Sequence, residues 1–308
     1  MKFLSLFSVI IAVFILVFSA LFFVFLFSSQ DTVYTNISYG NHPQQKFDIY
    51  FPDKLENMSE NSPVFLYIHG GGWTSGDKTE GKEMQKAVND MGCIFVSMNY
   101  RLIHETNDAD CSDMLCDIDD VVKYLALHSE TYHIDTEKMA IGGSSAGGHL
   151  AMLYAYSDNR SIPVQFVLSL SGPTDLADVS FYESKTLTPE QAAYLANRLA
   201  GSNYSLEDIL KNNADFPEFR EISPISYIKE DMPPLVLVQG KADDLVPYKS
   251  AERMAAAMNE AGAECDFFLF EYSGHDLDDS RDEEIRQDYF RTLISLFKEK
   301  LDLNFENA

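Results

Sequence analysis

Ser145 stands in Gly142-Gly143-Ser144-Ser145-Ala146-Gly147-Gly148-His149, and the spacing Gly143-x-Ser145-x-Gly147 suits a serine presented as a nucleophile. The apolar Met139-Ala140-Ile141 precedes it, and Leu150-Ala151-Met152-Leu153-Tyr154, rich in helix formers, follows. The order is therefore strand, glycine corner, helix. Such a sharp corner needs positive φ near its apex and brings backbone close to backbone, where a Cβ would obstruct. The helix start aims free N–H groups and its positive dipole end at negative charge forming beside Ser145. A bare match of this kind also fits a strand-to-helix connection without chemistry, so the decision rests on where other reactive residues fall.

A serine hydroxyl is a poor nucleophile near neutral pH and needs a base to take its proton. Neutral histidine has a pKa near the working pH, and the imidazolium it becomes must be oriented and stabilised by a buried carboxylate. His275 follows the strand-like Asp266-Phe267-Phe268-Leu269-Phe270 in a Ser273-Gly274-His275 turn. Asp243 and Asp244 follow the apolar Leu235-Val236-Leu237-Val238, and position alone does not choose between them. The chain order Ser, Asp, His is that of α/β hydrolases. His69 belongs to a glycine loop and reads as a loop anchor, whereas His149 reads as a packing residue. His42, His104, His128 and His133 read as surface residues in loops or helix ends.

The chemistry also needs donors for a developing oxyanion. Val64-Phe65-Leu66-Tyr67-Ile68 runs into His69-Gly70-Gly71-Gly72-Trp73, where three glycines let amides turn inward without side chains in the way. The candidate donors are the N–H groups of Gly71, Gly72 and Ala146.

These residues require a scaffold. Residues 33–39 and 45–51 alternate in polarity around a Gly40-Asn41-His42-Pro43 turn and read as an entry hairpin. Short apolar runs at 64–68, 94–98, 139–141, 165–170, 235–238 and 266–270 read as strands buried on both faces. Helical patterns at 78–91, 118–126, 146–154, 250–261 and 285–297 alternate with them. This predicts a mostly parallel central sheet with helices on both faces. The alternation breaks over residues 175–231, with helices expected at 189–200 and 206–211. That stretch reads as a small helical cap or lid inserted over the top of the sheet, where an acyl pocket would sit.

The chain has 308 residues, 46% of them hydrophobic, enough for one large α/β domain over 31–308. Its net charge of −25 argues against nucleic acid or anionic membrane as a partner and disfavours polyanionic substrates. The four cysteines match no zinc spacing, so no metal is expected. Cys93 and Cys265 open apolar runs and read as core residues. Cys111 and Cys116 lie close enough in a polar segment for a local disulfide outside the cytosol.

Phe3 to Phe27 carries no charge and would give ~37 Å of helix against a ~30 Å hydrocarbon core. Residues 1–30 thus read as a retained membrane anchor, with a cleaved signal as the alternative. Lys2 before the span and acidic residues after it place the catalytic domain outside the cytoplasm, either anchored or secreted.

His69-Gly70-Gly71-Gly72-Trp73, Asn99-Tyr100-Arg101-Leu102, Gly143-Ser144-Ser145-Ala146-Gly147-Gly148, Ser223-Pro224-Ile225, Gly240-x-x-Asp243-x-x-Val246-Pro247 and Gly274-His275 together resemble carboxylesterases of the α/β-hydrolase fold. The branch is that of hormone-sensitive-lipase-like and bacterial feruloyl-esterase-like enzymes, and the likeness runs from about residue 33 to the end. The resemblance implies Asp243 as the acid, because the family's acid precedes the Val-Pro pair by two residues. It implies hydrolysis of a small-molecule ester through an acyl-enzyme, with no cofactor. Gln239 departs from it, since many relatives carry histidine there; lying outside the triad, this change is expected to do little harm. A serine peptidase of the same fold and a non-catalytic binding module are the competing readings. The chain lacks length for a large substrate-selecting domain, and no triad member is missing.

Overall fold

The computed structural model describes residues 33–52, 61–157 and 160–303. Residues 1–30, read as an anchor or signal, lie outside them. Among the described residues no helix is long and apolar enough to cross a membrane.

The strands are β1 (Val33–Ser38), β2 (Lys46–Tyr50), β3 (Ser62–Ile68), β4 (Ile94–Met98), β5 (Ile134–Ser144), β6 (Val164–Leu170), β7 (Leu235–Gly240) and β8 (Cys265–Phe270). They form one sheet in the order β1-β2-β4-β3-β5-β6-β7-β8. The pairings β1/β2 and β2/β4 are antiparallel, and every later pairing is parallel. This is the mostly parallel sheet expected from the alternation of apolar runs and helical patterns, in the α/β-hydrolase arrangement that the resemblance implies.

The helices are α1 (Lys82–Asp90), α2 (Cys111–Leu127), α3 (Ser129–Tyr132), α4 (Ala146–Tyr156), α5 (Pro189–Ala200), α6 (Leu206–Lys211), α7 (Pro217–Glu221), α8 (Tyr248–Glu260) and α9 (Glu283–Lys300). Strand side chains alternate between faces, and this divides the core in two. Val64, Leu66, Ile68, Ile94 and Val96 pack with Ile118 and Val122 of α2, with α4 and with Met254 of α8. Phe65, Tyr67, Phe95, Phe166 and Val238 face the other way, onto Val88 of α1 and Leu293 and Phe297 of α9. All seven residues of β3 and all five of β4 are buried, which explains their unbroken apolar runs.

Several boundaries differ from the sequence expectation. The stretch expected as one helix from Lys78 begins as a 3₁₀ turn, Lys78–Gly81, capped by Asp77. Lys78 is buried there, with Nζ 2.9 Å from Asp48 Oδ2. β5 starts five residues before Met139, where its register shifts against β3 and β6. Cys265 is only half-buried, whereas Cys93 lies in the core.

Cys111 and Cys116 are both free, the first buried and the second exposed. The disulfide expectation is corrected by the helix that holds them: five residues along α2 turn the two side chains about 140° apart.

Residues 175–231 contain α5, α6 and α7, as the helical patterns at 189–200 and 206–211 anticipate. Phe181, Tyr182, Ala196, Leu199, Ile209 and Phe219 join the same core as α2 and α4. The start of the stretch is pinned to residues 223–225 near its end. Ile225 N–H donates to the Thr174 carbonyl at 3.1 Å. Ser223 Oγ accepts from Leu176 N–H at 2.8 Å.

Candidate active site

The nucleophile corner is built from crowding that only glycine allows. Ser145 has φ 53° and ψ −121° and immediately precedes α4. A Cβ on Gly143 would lie 2.4 Å from the Ile68 carbonyl oxygen, and one on Gly147 would lie 2.0 Å from it. The end of β3 thus presses against the start of α4, and Ser145 is lifted out of the sheet. Ser145 N–H donates to the Leu170 carbonyl at 2.7 Å, which ties the corner to the end of β6.

The next residue of that strand end, Ser171, reaches the other side of the site. Its N–H donates to the Val238 carbonyl at 2.8 Å. Its hydroxyl donates to the carbonyl of His275 at 2.9 Å. β6 therefore serves as the common rail for the serine and histidine loops. The acid and histidine loops are joined as well, through Ala242 N–H donating to the Ser273 carbonyl at 3.0 Å.

His275 Nδ1 lies 2.8 Å from Asp243 Oδ2. Asp243 Oδ1 accepts from Leu245 N–H at 2.8 Å and Val246 N–H at 2.9 Å. Its side chain is fully enclosed. Asp244 points outward, 56% exposed, with Oδ1 2.6 Å from Lys185 Nζ. Among the described residues Ser145 Oγ makes no hydrogen bond, and neither does His275 Nε2.

The glycine loop after β3 lies beside the serine. A Cβ on Gly70 would sit 3.4 Å from Ser145 Cβ. Gly71 and Gly72 have φ +99° and +58°, which orients their amides away from any strand pairing. No described residue accepts from the N–H groups of Gly71, Gly72 or Ala146. The Gly71 carbonyl is fixed from behind by Ser75 N–H at 3.0 Å and Ser75 Oγ at 2.9 Å.

Two histidines brace this arrangement. His69 Nδ1–H donates to the Gly70 carbonyl at 2.8 Å. Its ring stacks on Tyr100 with centroids 4.5 Å apart. Burial lowers its pKa. His149 is fully buried in the first turn of α4. Its Nε2–H donates to the Ile222 carbonyl at 2.7 Å, and its Nδ1 accepts from Trp73 Nε1–H at 3.3 Å. Burial holds His149 near a pKa of about 4 and hence neutral, as both bonds require. It is a packing residue as expected, and it also ties the glycine loop and residues 175–231 to α4.

Three contacts around Asp243 and His275 were not evident from sequence. Gln239 Nε2 lies 2.8 Å from Asp243 Oδ2. Asp282 receives Ser273 N–H and Oγ, each at 2.7 Å, and so fixes the turn before His275. Ser171 carries the rail described above. A buried polar residue at a strand end is a signal for the first of these. The other two depend on partners distant in sequence.

A parallel sheet of this order, a serine on a strained strand-to-helix corner, and an aspartate–histidine pair from the last two strand ends define an α/β hydrolase. The BD-FAE family model matches residues 47–258. The chain belongs to this family of α/β-hydrolase carboxylesterases. It is 29% identical over 221 residues to the probable carboxylic ester hydrolase LipM of Mycobacterium tuberculosis, covering 70% of this chain and 49% of that protein. It is 24% identical to the probable isoprenylcysteine alpha-carbonyl methylesterase ICME of Oryza sativa, covering 82% and 59%. The chain thus spans about half the length of these relatives. Among solved structures, a thermophilic esterase from Thermogutta terrifontis superposes with a TM-score of 0.68 at 19% identity, covering 90% of this chain and 96% of that one. A truncated carbohydrate esterase from gut microbiota gives 0.65 at 21% identity, covering 89% and 99%.

Proposed function

We propose that this protein hydrolyses a small carboxylic ester through an acyl-enzyme, with Ser145 as nucleophile, His275 as base and Asp243 as its orienting acid. The observation that carries this reading is the His275–Asp243 bond of 2.8 Å, held by the loop whose carbonyl rests on Ser171 beside the Ser145 corner. His275 Nε2 takes the Ser145 proton as Oγ bonds to the ester carbonyl carbon. The oxygen gains negative charge and is met by the N–H groups of Gly71, Gly72 and Ala146 at the positive end of α4. Collapse expels the alcohol, which leaves with the proton from His275. Water then repeats the sequence on the acyl group, releasing the acid and restoring Ser145. Asp243 holds and stabilises the imidazolium that forms in each step.

Residues 175–231 supply a wall of the acyl pocket in this scheme, supported by the bond from Lys185 N–H to the Asp244 carbonyl at 2.9 Å. Residues 1–30 would hold the enzyme at a membrane or direct its secretion, which fractionation of the full chain distinguishes. The catalytic test is hydrolysis of nitrophenyl esters from acetyl to long-chain, beside Ser145→Ala. The expected result is turnover that vanishes in the variant, with a chain-length optimum that sizes the pocket. Equal turnover in both proteins, or none in either with folding intact, would overturn the reading.

A further inference from the structure

Gln239 is the one uncharged polar side chain at the buried end of β7, where Val236, Leu237 and Val238 precede it, and it is fully enclosed. Burying an amide costs free energy unless it is bonded, so its partners indicate its purpose. Nε2 donates to Asp243 Oδ2 at 2.8 Å and to the Val246 carbonyl at 3.1 Å. Both partners can only accept, which fixes the amide orientation: a flipped group would set oxygen against oxygen. The amide oxygen is left buried without a partner. Gln239 therefore forgoes one hydrogen bond while spending both N–H groups on the acid loop.

Asp243 Oδ2 is also the oxygen that faces His275 Nδ1, at 2.8 Å. With two backbone N–H groups on Oδ1, the carboxylate accepts four donors in all. We propose that Gln239 is a positioning residue that sets the orientation of Asp243 and, through it, the basicity of His275. This rests on the triad reading given above. The amide N–H does two things. It locks the carboxylate plane, so the ring sees one fixed acceptor. It also draws negative charge from Oδ2, so the carboxylate stabilises the imidazolium less than it would without this donor. The donor is worth keeping because it holds geometry that the backbone bonds to Oδ1 alone do not hold.

The test compares Gln239→Met, similar in length but without a donor, with Gln239→His, which restores one N–H. The readout is the pH dependence of kcat/KM on a nitrophenyl ester. Gln239→Met is expected to lower kcat by roughly 10- to 100-fold, the range for losing a hydrogen bond to a charged group, with KM changed by less than about threefold. Its acid limb is expected to move to higher pH, because the unshielded carboxylate raises the histidine's affinity for a proton. Gln239→His is expected to return kcat to within a few-fold of wild type. If Gln239→Met does not fold, Gln239→Ala, which leaves space instead of a mismatched side chain, reads the same limb. An acid limb that stays in place or moves to lower pH in a folded variant would overturn the proposal. The triad reading fails separately, if Asp243→Asn retains wild-type turnover.

Discussion

Asp243 and Asp244 are neighbours in the chain and face opposite ways: the first is enclosed against His275, and the second reaches solvent and Lys185. The turn after β7 makes this division. Leu245 and Val246 N–H groups fold back onto Asp243 Oδ1, which draws that side chain inward and leaves the next one outside. Asp243→Asn is expected to lower kcat by about 10⁴-fold, since an amide facing the ring favours the wrong tautomer. Asp244→Asn is expected to stay within about threefold, because an exposed ion pair is worth little. Steady-state kinetics on one ester decide both. Comparable losses in the two variants would contradict the division.

The glycine loop predicts two unequal substitutions. A Cβ at Gly71 would lie 2.2 Å from the Ser75 carbonyl oxygen, so Gly71→Ala must move the loop. It is expected to lower kcat by about 10²-fold or more, the usual cost of displacing an oxyanion donor. At Gly72 nothing lies within 4 Å, and only the φ of +58° resists a side chain. Gly72→Ala is expected to cost about 1–2 kcal/mol of stability, with kcat changed by less than about tenfold. Parallel kcat and thermal-melting measurements separate the two effects.

His149 makes stability depend on pH. Its folded pKa of about 4 lies below the ordinary value of 6.5. Between those values the unfolded chain binds more protons, so stability is full above about pH 6.5 and falls as pH drops toward 4. The total is roughly 3 kcal/mol. Burial of His69 lowers its pKa too and adds in the same direction. Urea unfolding of wild type and His149→Gln from pH 4 to 7 measures this, because carboxylate titration is common to both. The variant is expected to show the shallower slope, and identical slopes would remove His149 as the cause.

Lys78 and Asp48 form an ion pair with side-chain exposures of 7% and 3%. Lys78→Met leaves Asp48 buried and uncompensated, and is expected to cost about 3–5 kcal/mol. Adding Asp48→Asn is expected to recover a large share of that loss, since the amide keeps partners in Asn36 N–H and the Tyr50 hydroxyl. Denaturant midpoints of the single and double variants test this.

The free cysteines predict an alkylation order. Exposed Cys116 is expected to react in the native protein, while Cys93 and Cys111 react only after unfolding. Intact mass is expected to be unchanged by reduction. A two-dalton gain assigned to Cys111 and Cys116 would restore the disulfide.

Much of the site was legible because it is written in short stretches with local causes. The corner at Ser145 and the glycine loop announce themselves by glycine where backbone must approach backbone, at Gly143, Gly147 and Gly71. The sheet was legible because strands buried on both faces read as unbroken apolar runs. What stayed hidden depends on partners far along the chain. Lys78 reads as the polar start of a helix, and only its proximity to Asp48, 30 residues earlier, explains its burial. Gln239 reads as a change outside the triad, and its contact with Asp243, four residues on, shows only in the folded turn. Cys111 and Cys116 looked like a pair by separation, but helical geometry sets the direction of side chains and separation alone does not.

Thr174, just before residues 175–231, and Ile225, near their end, are joined by one hydrogen bond, Ile225 N–H to the Thr174 carbonyl. The rest of the fold therefore sees residues 175–224 as a closed loop with fixed ends. Lengthening such a loop twofold costs only about 0.6 kcal/mol in closure entropy. The stretch is then a site for segment exchange. A donor sequence that meets Thr174 and Ile225, and refills the places of Phe181, Tyr182 and Phe219, is expected to alter which esters are hydrolysed under the proposed function, with the sheet and the loops at its strand ends unchanged.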